Sequence, residues 1–174
     1  MTQTLLFDIE STGLLRRGSQ IHCIVTRDIN SVDDVQVYDQ RPDNSLCAGI
    51  EILQRADALV GHNIIGYDVP LIKEGFDFDF KGQMIDTLVL SRLFYPHLKD
   101  RDFERRPVGM PKKLYGSHGL EAWGYRLKCF KGDYGKQGGA WETYTPEMLD
   151  YCIQDTLVTY KVFQLMMRRM KDYE

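Results

Sequence analysis

The sequence predicts an α/β fold, a mixed sheet flanked by helices, and three observations carry that expectation. Three β-rich runs come first, near residues 5–9, 21–26 and 35–38, joined only by turn-rich segments, which is the pattern of an antiparallel meander. Two shorter apolar runs, 58–60 and 83–85, are each followed by a helical pattern, which adds parallel strands beside the meander. The chain then closes on one long helical run from Thr145 to about Met170.

Each element has a local reason. Asp43, Asn44 and Ser45 offer caps for a helix through Leu46, Ile50 and Leu53, whose spacing places them on one face. Residues 58–60 end at Gly61-His62-Asn63, and a helix over 67–74 accommodates Pro70 in its first turn. Asp86 can cap a helix over 87–94. Residues 95–117 hold Pro96, Pro107, Gly109, Pro111 and Gly116 without periodicity and are expected to form a long loop. Ser117 is expected to cap a short helix through Leu120 and Trp123, and a glycine-rich hairpin or loop over 132–140 follows. Thr145 as N-cap, Pro146 at the first helical position and Glu147 at the positive end of the dipole start the last helix.

Composition narrows the class. The 174 residues are 43% hydrophobic and 11% aromatic, enough for one domain with a full core over 1–174. No apolar run approaches the roughly 20 residues of a membrane span, and the first residues lack a signal-peptide pattern, so a cytoplasmic, non-membrane protein is expected. Cys23, Cys47, Cys129 and Cys152 are scattered without zinc-site spacing and read as small core residues. The net charge of −3 hides an asymmetry: residues 99–131 hold nine Lys or Arg against four Asp or Glu, leaving that segment at +5 and the remainder at −8. A basic side facing an acidic one suits phosphate held over carboxylates, and a solvated loop would look the same.

The chemistry-bearing residues are acids. Asp8 and Glu10 are two apart in the first strand and therefore share a face, opposite Phe7 and Ile9. Alone, the pair fits a solvated sheet face. Asn63 and Asp68 follow a strand end, where α/β folds place ligand sites, although an acid at a helix start also serves the dipole. Tyr151 and Asp155, spaced i, i+4, share a face of the last helix beside Met148, Leu149 and Val158.

Three stretches taken together resemble a known family. Phe7-Asp8-Ile9-Glu10-Ser11-Thr12-Gly13, Asn63-Ile64-Ile65-Gly66-Tyr67-Asp68 and Tyr151-Cys152-Ile153-Gln154-Asp155 are similar, in order, to the three motifs of the DnaQ-like 3′–5′ exonucleases, in the subgroup with tyrosine before the last acid. The likeness is closest to the proofreading domain of phage family A DNA polymerases, and it extends to residues 85–93 and 116–127. It implies an RNase H-like fold, and the expected departure from those polymerases is that residues 1–174 form a single exonuclease domain without a polymerase domain. It also implies an activity: hydrolysis of phosphodiesters at single-stranded DNA 3′ ends, releasing nucleoside monophosphates.

Such hydrolysis needs charge neutralisation at phosphorus, an activated water and a stabilised leaving oxygen, which two divalent cations about 4 Å apart supply. Oxygen ligands select hard cations, Mg²⁺ or Mn²⁺. The resemblance implies that Asp8 bridges both ions, Glu10 and Asp155 complete the site of the attacking water, and Asp68 supports the second ion. Tyr151 would orient that water; with an ordinary phenol pKa of about 10 it is a poor base. Thr12, Gly13 and Leu14 would hold the terminal nucleotide, and Asn63 and Tyr67 would shape its pocket. Lys112 and Lys113 are candidates for strand phosphates, equally readable as solvated lysines. Tyr115, Trp123 and Trp141 are stacking candidates or core residues. His62 and His118 read as strand-end and cap residues, and Asp86 as a cap rather than a further ligand. A separate DNA polymerase or replication protein is the implied partner. The alternatives are a 3′–5′ exoribonuclease of the same fold and a non-catalytic module binding polymerase or strand ends.

Overall fold

A computed structural model describes residues 2–13, 18–129, 134, 139 and 141–172. Five strands, β1 (Thr4–Ser11), β2 (Ile21–Asp28), β3 (Ser31–Tyr38), β4 (Ala58–Gly61) and β5 (Gln83–Asp86), form one sheet in the order β3-β2-β1-β4-β5. β1 pairs antiparallel with β2 and parallel with β4, while β4 and β5 run parallel. The expected mixed sheet is therefore present, with β1 at its centre. The meander is longer than expected. β3 begins at Ser31 because Ile29 and Asn30 make a tight turn in which the Asn30 N–H donates to Asp28 Oδ1 at 2.8 Å. Its first residues are polar because β3 is an exposed edge.

Helices cover both faces. On one, Leu5, Phe7 and Ile9 of β1 pack with α1 (Leu46–Arg55) and α2 (Asp68–Gly75) through Ile50, Leu53, Val69 and Ile72. On the other lies α6 (Pro146–Lys171), against which Leu6 and Val60 meet Phe163, and Cys23 and Val25 meet Cys152. Burying Phe7, Leu6 and Ile24 completely contributes about 1.5–3 kcal/mol each. The Thr145 hydroxyl accepts from the Met148 N–H at 3.1 Å, so the expected start of α6 holds. No helix among the described residues is long and apolar enough to cross a membrane.

The expected loop over 95–117 contains a helix, α4 (Leu98–Arg105), and a 3-10 turn, Lys112–Leu114. Only Leu98 and Asp102 of α4 are buried, so it shows no apolar period. Its anchor is electrostatic. Arg126, on α5 (Leu120–Arg126), donates from Nε to Asp102 Oδ1 at 2.9 Å and from Nη2 to Oδ2 at 2.7 Å, and the Gly116 N–H donates to Oδ2 at 2.8 Å. The Arg126 guanidinium also lies 4.9 Å over the Trp123 ring. At the start of α5 the N-cap is Gly119 rather than Ser117, whose hydroxyl accepts from the Gly119 N–H one step earlier. His118 is not a cap either; its Nδ1 bonds the Ser91 hydroxyl at 2.6 Å. Nearly all of the expected hairpin over 132–140 lies outside the described residues.

Burial alone would raise the Asp102 carboxyl, but the Arg126 fork and the Gly116 N–H hold it below its ordinary value. A depressed carboxyl stabilises the fold above its unfolded pKa, and that stability disappears as pH falls through the folded value. Arg126→Ala, which strands a buried carboxylate, is expected to cost about 3–5 kcal/mol in urea unfolding at pH 7. Asp102→Asn is expected to remove this carboxyl's share of the acid-limb loss. An Arg126→Ala curve that overlays the wild type would refute the anchoring role.

Candidate active site

The central strand delivers two acids to the face covered by α6. Asp8 lies opposite Val25 and Glu10 opposite Cys23, with a register irregularity after Glu10 that turns Ser11 and Gly13 aside. Glu10 retains 8% exposure and Asp8 is half-buried. The solvated face that the pair alone would suggest is thus replaced by a packed one. Cys152, fully buried on α6, donates from Sγ toward Asp8 Oδ2 at 3.5 Å and the Asp8 carbonyl at 3.6 Å. Burial, then contacts with Cys23 and Asp8, push this thiol well above its ordinary value, so it stays protonated and acts as a donor.

The other predicted acids come from α2 and α6, and neither Asp68 nor Asp155 is in the group formed by Asp8, Glu10 and Cys152, whose ligand atoms lie within 4.8 Å of one another among the described residues. Asp68 begins α2 with 3% exposure, and Asp155 lies on α6 three residues after Cys152, also at 3%. Arg27 sets the placement of α6. Its Nε donates to Thr156 Oγ1 at 2.7 Å and its Nη2 to the Ile153 carbonyl at 3.1 Å, on either side of Asp155. Tyr151 is half-buried and its ring packs on Trp141, centroids 5.7 Å apart, and on Tyr134 at 5.9 Å.

Tyr67 joins the end of β1 to α2. Its hydroxyl donates to the Gly13 carbonyl and lies 2.7 Å from Ser11 Oγ. Burial pushes this phenol up, the Ser11 bond opposes the rise, and the fields of Asp68, Glu10 and Asp8 add to it, which places Tyr67 among three of the acids. Asn63 turns the chain there with φ 69°, and its carbonyl accepts from the Gly66 and Tyr67 N–H groups at 3.1 and 3.0 Å. Asp86 caps α3 (Thr87–Phe94), as expected, and also takes the Asn63 and Ile65 N–H groups at 3.0 and 3.1 Å. It holds the loop carrying Asn63, which the sequence reading did not include. Gly61 is required: a Cβ there would sit 2.2 Å from Ile64 Cγ2.

Glu10, Ser11, Gly13, Tyr67 and Trp141 line a cleft of about 280 Å³. Trp141 is thus a wall of the cleft, whereas Trp123, 2% exposed and donating to Ser91 Oγ, belongs to the core. His22 supports that wall, with Nε2 3.0 Å from the Trp141 carbonyl. Thr12 is exposed, its hydroxyl accepting from the Gln20 N–H at 3.0 Å. Leu14 lies outside the described residues. Lys112 and Lys113 sit exposed on the 3-10 turn, and neither is among the residues lining the cleft. His62 bonds the Thr87 hydroxyl at 2.9 Å, consistent with a strand-end role. Cys152 was missed because its spacing signals only burial. A signal was available in its place between Tyr151 and Asp155.

The donor set fits a hard divalent cation. One ligand atom from each of Asp8, Glu10 and Cys152 lies within 4.8 Å of the others. With the protonated thiol bound to Asp8, the carboxylates are the hard donors. Desolvation, with Asp86 adding and the backbone N–H groups of Asp68 and Ile9 opposing, pushes the Asp68 carboxyl up to about 7. Such acids ionise more readily with a cation beside them. A raised carboxyl keeps its proton in the folded chain after the unfolded chain has lost it, so stability of the metal-free protein falls as pH rises from about 4 to about 7. Mn²⁺ is therefore expected to raise the melting temperature by several degrees at pH 7.5 and by much less at pH 5. Asp68→Asn should flatten that difference, and an equal Mn²⁺ shift at both pH values would contradict it.

No protein-family model matches the chain. It is 37% identical over 181 residues to the DNA-directed DNA polymerase of Enterobacteria phage T3, covering 89% of this chain and 25% of the polymerase. The chain thus spans a quarter of that relative's length. Among solved structures, NrnC of Brucella melitensis with bound Mg²⁺ superposes with a TM-score of 0.65 at 15% identity, covering 98% of this chain and 75% of NrnC. Escherichia coli RNase D, an exoribonuclease involved in structured RNA processing, gives 0.64 at 13%, covering 98% of this chain and 40% of RNase D. The structural likenesses show an RNase H-like fold.

Proposed function

Since the chain belongs to the DnaQ-like exonuclease family, we propose that it is a metal-dependent 3′–5′ exonuclease that trims single-stranded DNA ends and releases nucleoside monophosphates. The observation that carries this is the closeness of Asp8 and Glu10 beneath α6, beside a cleft lined by Glu10, Tyr67 and Trp141. Relationship to a DNA polymerase favours DNA as the substrate and a DNA polymerase, whose 3′ ends would be proofread, as the partner.

In this proposal Asp8, Glu10, Asp68 and Asp155 hold two Mg²⁺ or Mn²⁺ ions. When bound, such ions neutralise charge on the phosphoryl group, acidify the attacking water and stabilise the leaving oxygen. Tyr151, braced by Trp141, orients the water. Thr12, Gly13, Asn63 and Tyr67 seat the terminal nucleotide. Trp141 offers a ring to its base, a contact worth about 1–3 kcal/mol in single-strand binding.

Asp8→Ala is expected to reduce release of labelled mononucleotide from a 3′-labelled DNA oligomer by at least 10³-fold with Mn²⁺ present, while the circular dichroism spectrum stays unchanged. EDTA should do the same to the wild type. Digesting DNA and RNA oligomers of one sequence in parallel tests the substrate: faster RNA loss would move the assignment to an exoribonuclease. Tight strand binding without Mn²⁺-dependent turnover would move it to a binding module.

A further inference from the structure

A second cleft, of about 490 Å³, opens between α4, α5 and the far half of α6. Arg101, Arg105, Arg106 and Lys128 line it over a partly apolar floor that includes Leu127 and Leu165. Arg105, Arg106 and Lys128 are exposed, and none of these three is engaged in an ion pair among the described residues. The acid in the wall, Asp102, is committed to Arg126 and the Gly116 N–H. Asp100 and Glu104 of α4 do not line the cleft, whereas Arg101 and Arg105, four apart, share the face that does. The cleft is therefore cationic in net terms, and it concentrates the positive charge of residues 99–131.

Backbone geometry sets the same residues apart. Among the described residues three non-glycines have positive φ: Asn63, in the acidic site, and Arg106 (47°) and Lys128 (53°), both at the cationic cleft. Each of the latter follows a helix, where glycine would relieve roughly 1 kcal/mol of strain. Long cationic side chains stand there instead, and strain of this kind concentrates at ligand sites. Three of the four cations are arginines, whose forked guanidinium matches phosphate oxygens. Leu165 lies ten residues beyond Asp155, about 15 Å along the helix axis. A strand stacked as in duplex DNA, at 3.4 Å per nucleotide, covers that span with about four nucleotides, and an extended strand with fewer.

We propose that the α4–α5 cleft anchors the phosphodiester backbone of the single strand whose 3′ end occupies the acidic site. The identity of the strand rests on the exonuclease assignment; the cleft and its charge do not. The anchor makes binding length-dependent, because a trimer at the acids cannot span to α4 while a 12-mer can.

The test compares fluorescence anisotropy of 5′-labelled 12-mer and trimer DNA in EDTA for the wild type and for Arg105→Gln/Arg106→Gln/Lys128→Gln, with turnover of both oligomers in Mn²⁺. All three positions are exposed, and matching melting curves will verify folding. Expected are a loss of 12-mer affinity of about tenfold or more and a decrease of about 2 in the slope of log K against log salt, at about 0.7 per phosphate contact. The deficit should be confined to the 12-mer. Unchanged affinity and slope, an equal deficit on the trimer, or a twelve-residue polyglutamate peptide competing as well as the 12-mer would each overturn the anchor. Wild-type turnover of the 12-mer in Mn²⁺ reports on the acidic site separately: its absence with normal 12-mer binding removes the exonuclease assignment and leaves the anchor standing.

Discussion

Placing α6 against the face of β1 that carries Asp8 and Glu10 is the constraint on which the rest of the molecule depends. Two carboxylates on a packed face of a central strand are unfavourable while bare, and Asp68, driven toward its neutral form by desolvation, belongs to the same neighbourhood. The fold absorbs this by placing completely buried apolar residues on the same face, Leu6 of β1, Cys23 and Val25 of β2 and Cys152 of α6. The helix cannot slide along the sheet to escape them. Arg27 grips it at Ile153 and Thr156, and Cys152 reaches Asp8 itself.

Buried charge is handled differently away from the acids. Arg27 and the Arg126–Asp102 pair are saturated with partners, and they fix elements against one another: β2 against α6 in one case, α4 against α5 in the other. Removing a partner leaves a charge in a medium that cannot solvate it, so these contacts enforce geometry more than they add stability. Asp86 works in the same manner with backbone donors alone, tying the loop after β4 to the start of α3.

Most of the architecture was legible where periodicity and capping chemistry coincide. The antiparallel meander, the Asp86 cap and the Thr145-Pro146 start of α6 follow from residue types whose preferences are local. The acids were legible as a set through three ordered stretches; the bonds of Tyr67 to Ser11 and Gly13 and of Cys152 to Asp8 were not. α4 was hidden because it is polar, lies between Pro96 and Pro107, and is secured by an ion pair to a residue 24 positions away. The first half of β3 was hidden because its edge faces water and its residues look like a turn. Cys152 and Trp141 illustrate a further limit. Composition marks one as core and leaves the other ambiguous, and only the tertiary arrangement directs a sulfur at Asp8 and a ring into the cleft.

The Tyr67 phenol acts as a strut of fixed length. It is covalently next to Asp68 and hydrogen-bonded to the turn immediately beyond Glu10, so one rigid ring spans from the third acid to the strand carrying the first two. The spacing of these acids is thereby held by a side-chain span in addition to the packing of α2 on β1. A short helix of eight residues is enough to carry Asp68 for that reason: the dimension that matters is held by an aromatic ring as well as by the helix's packing.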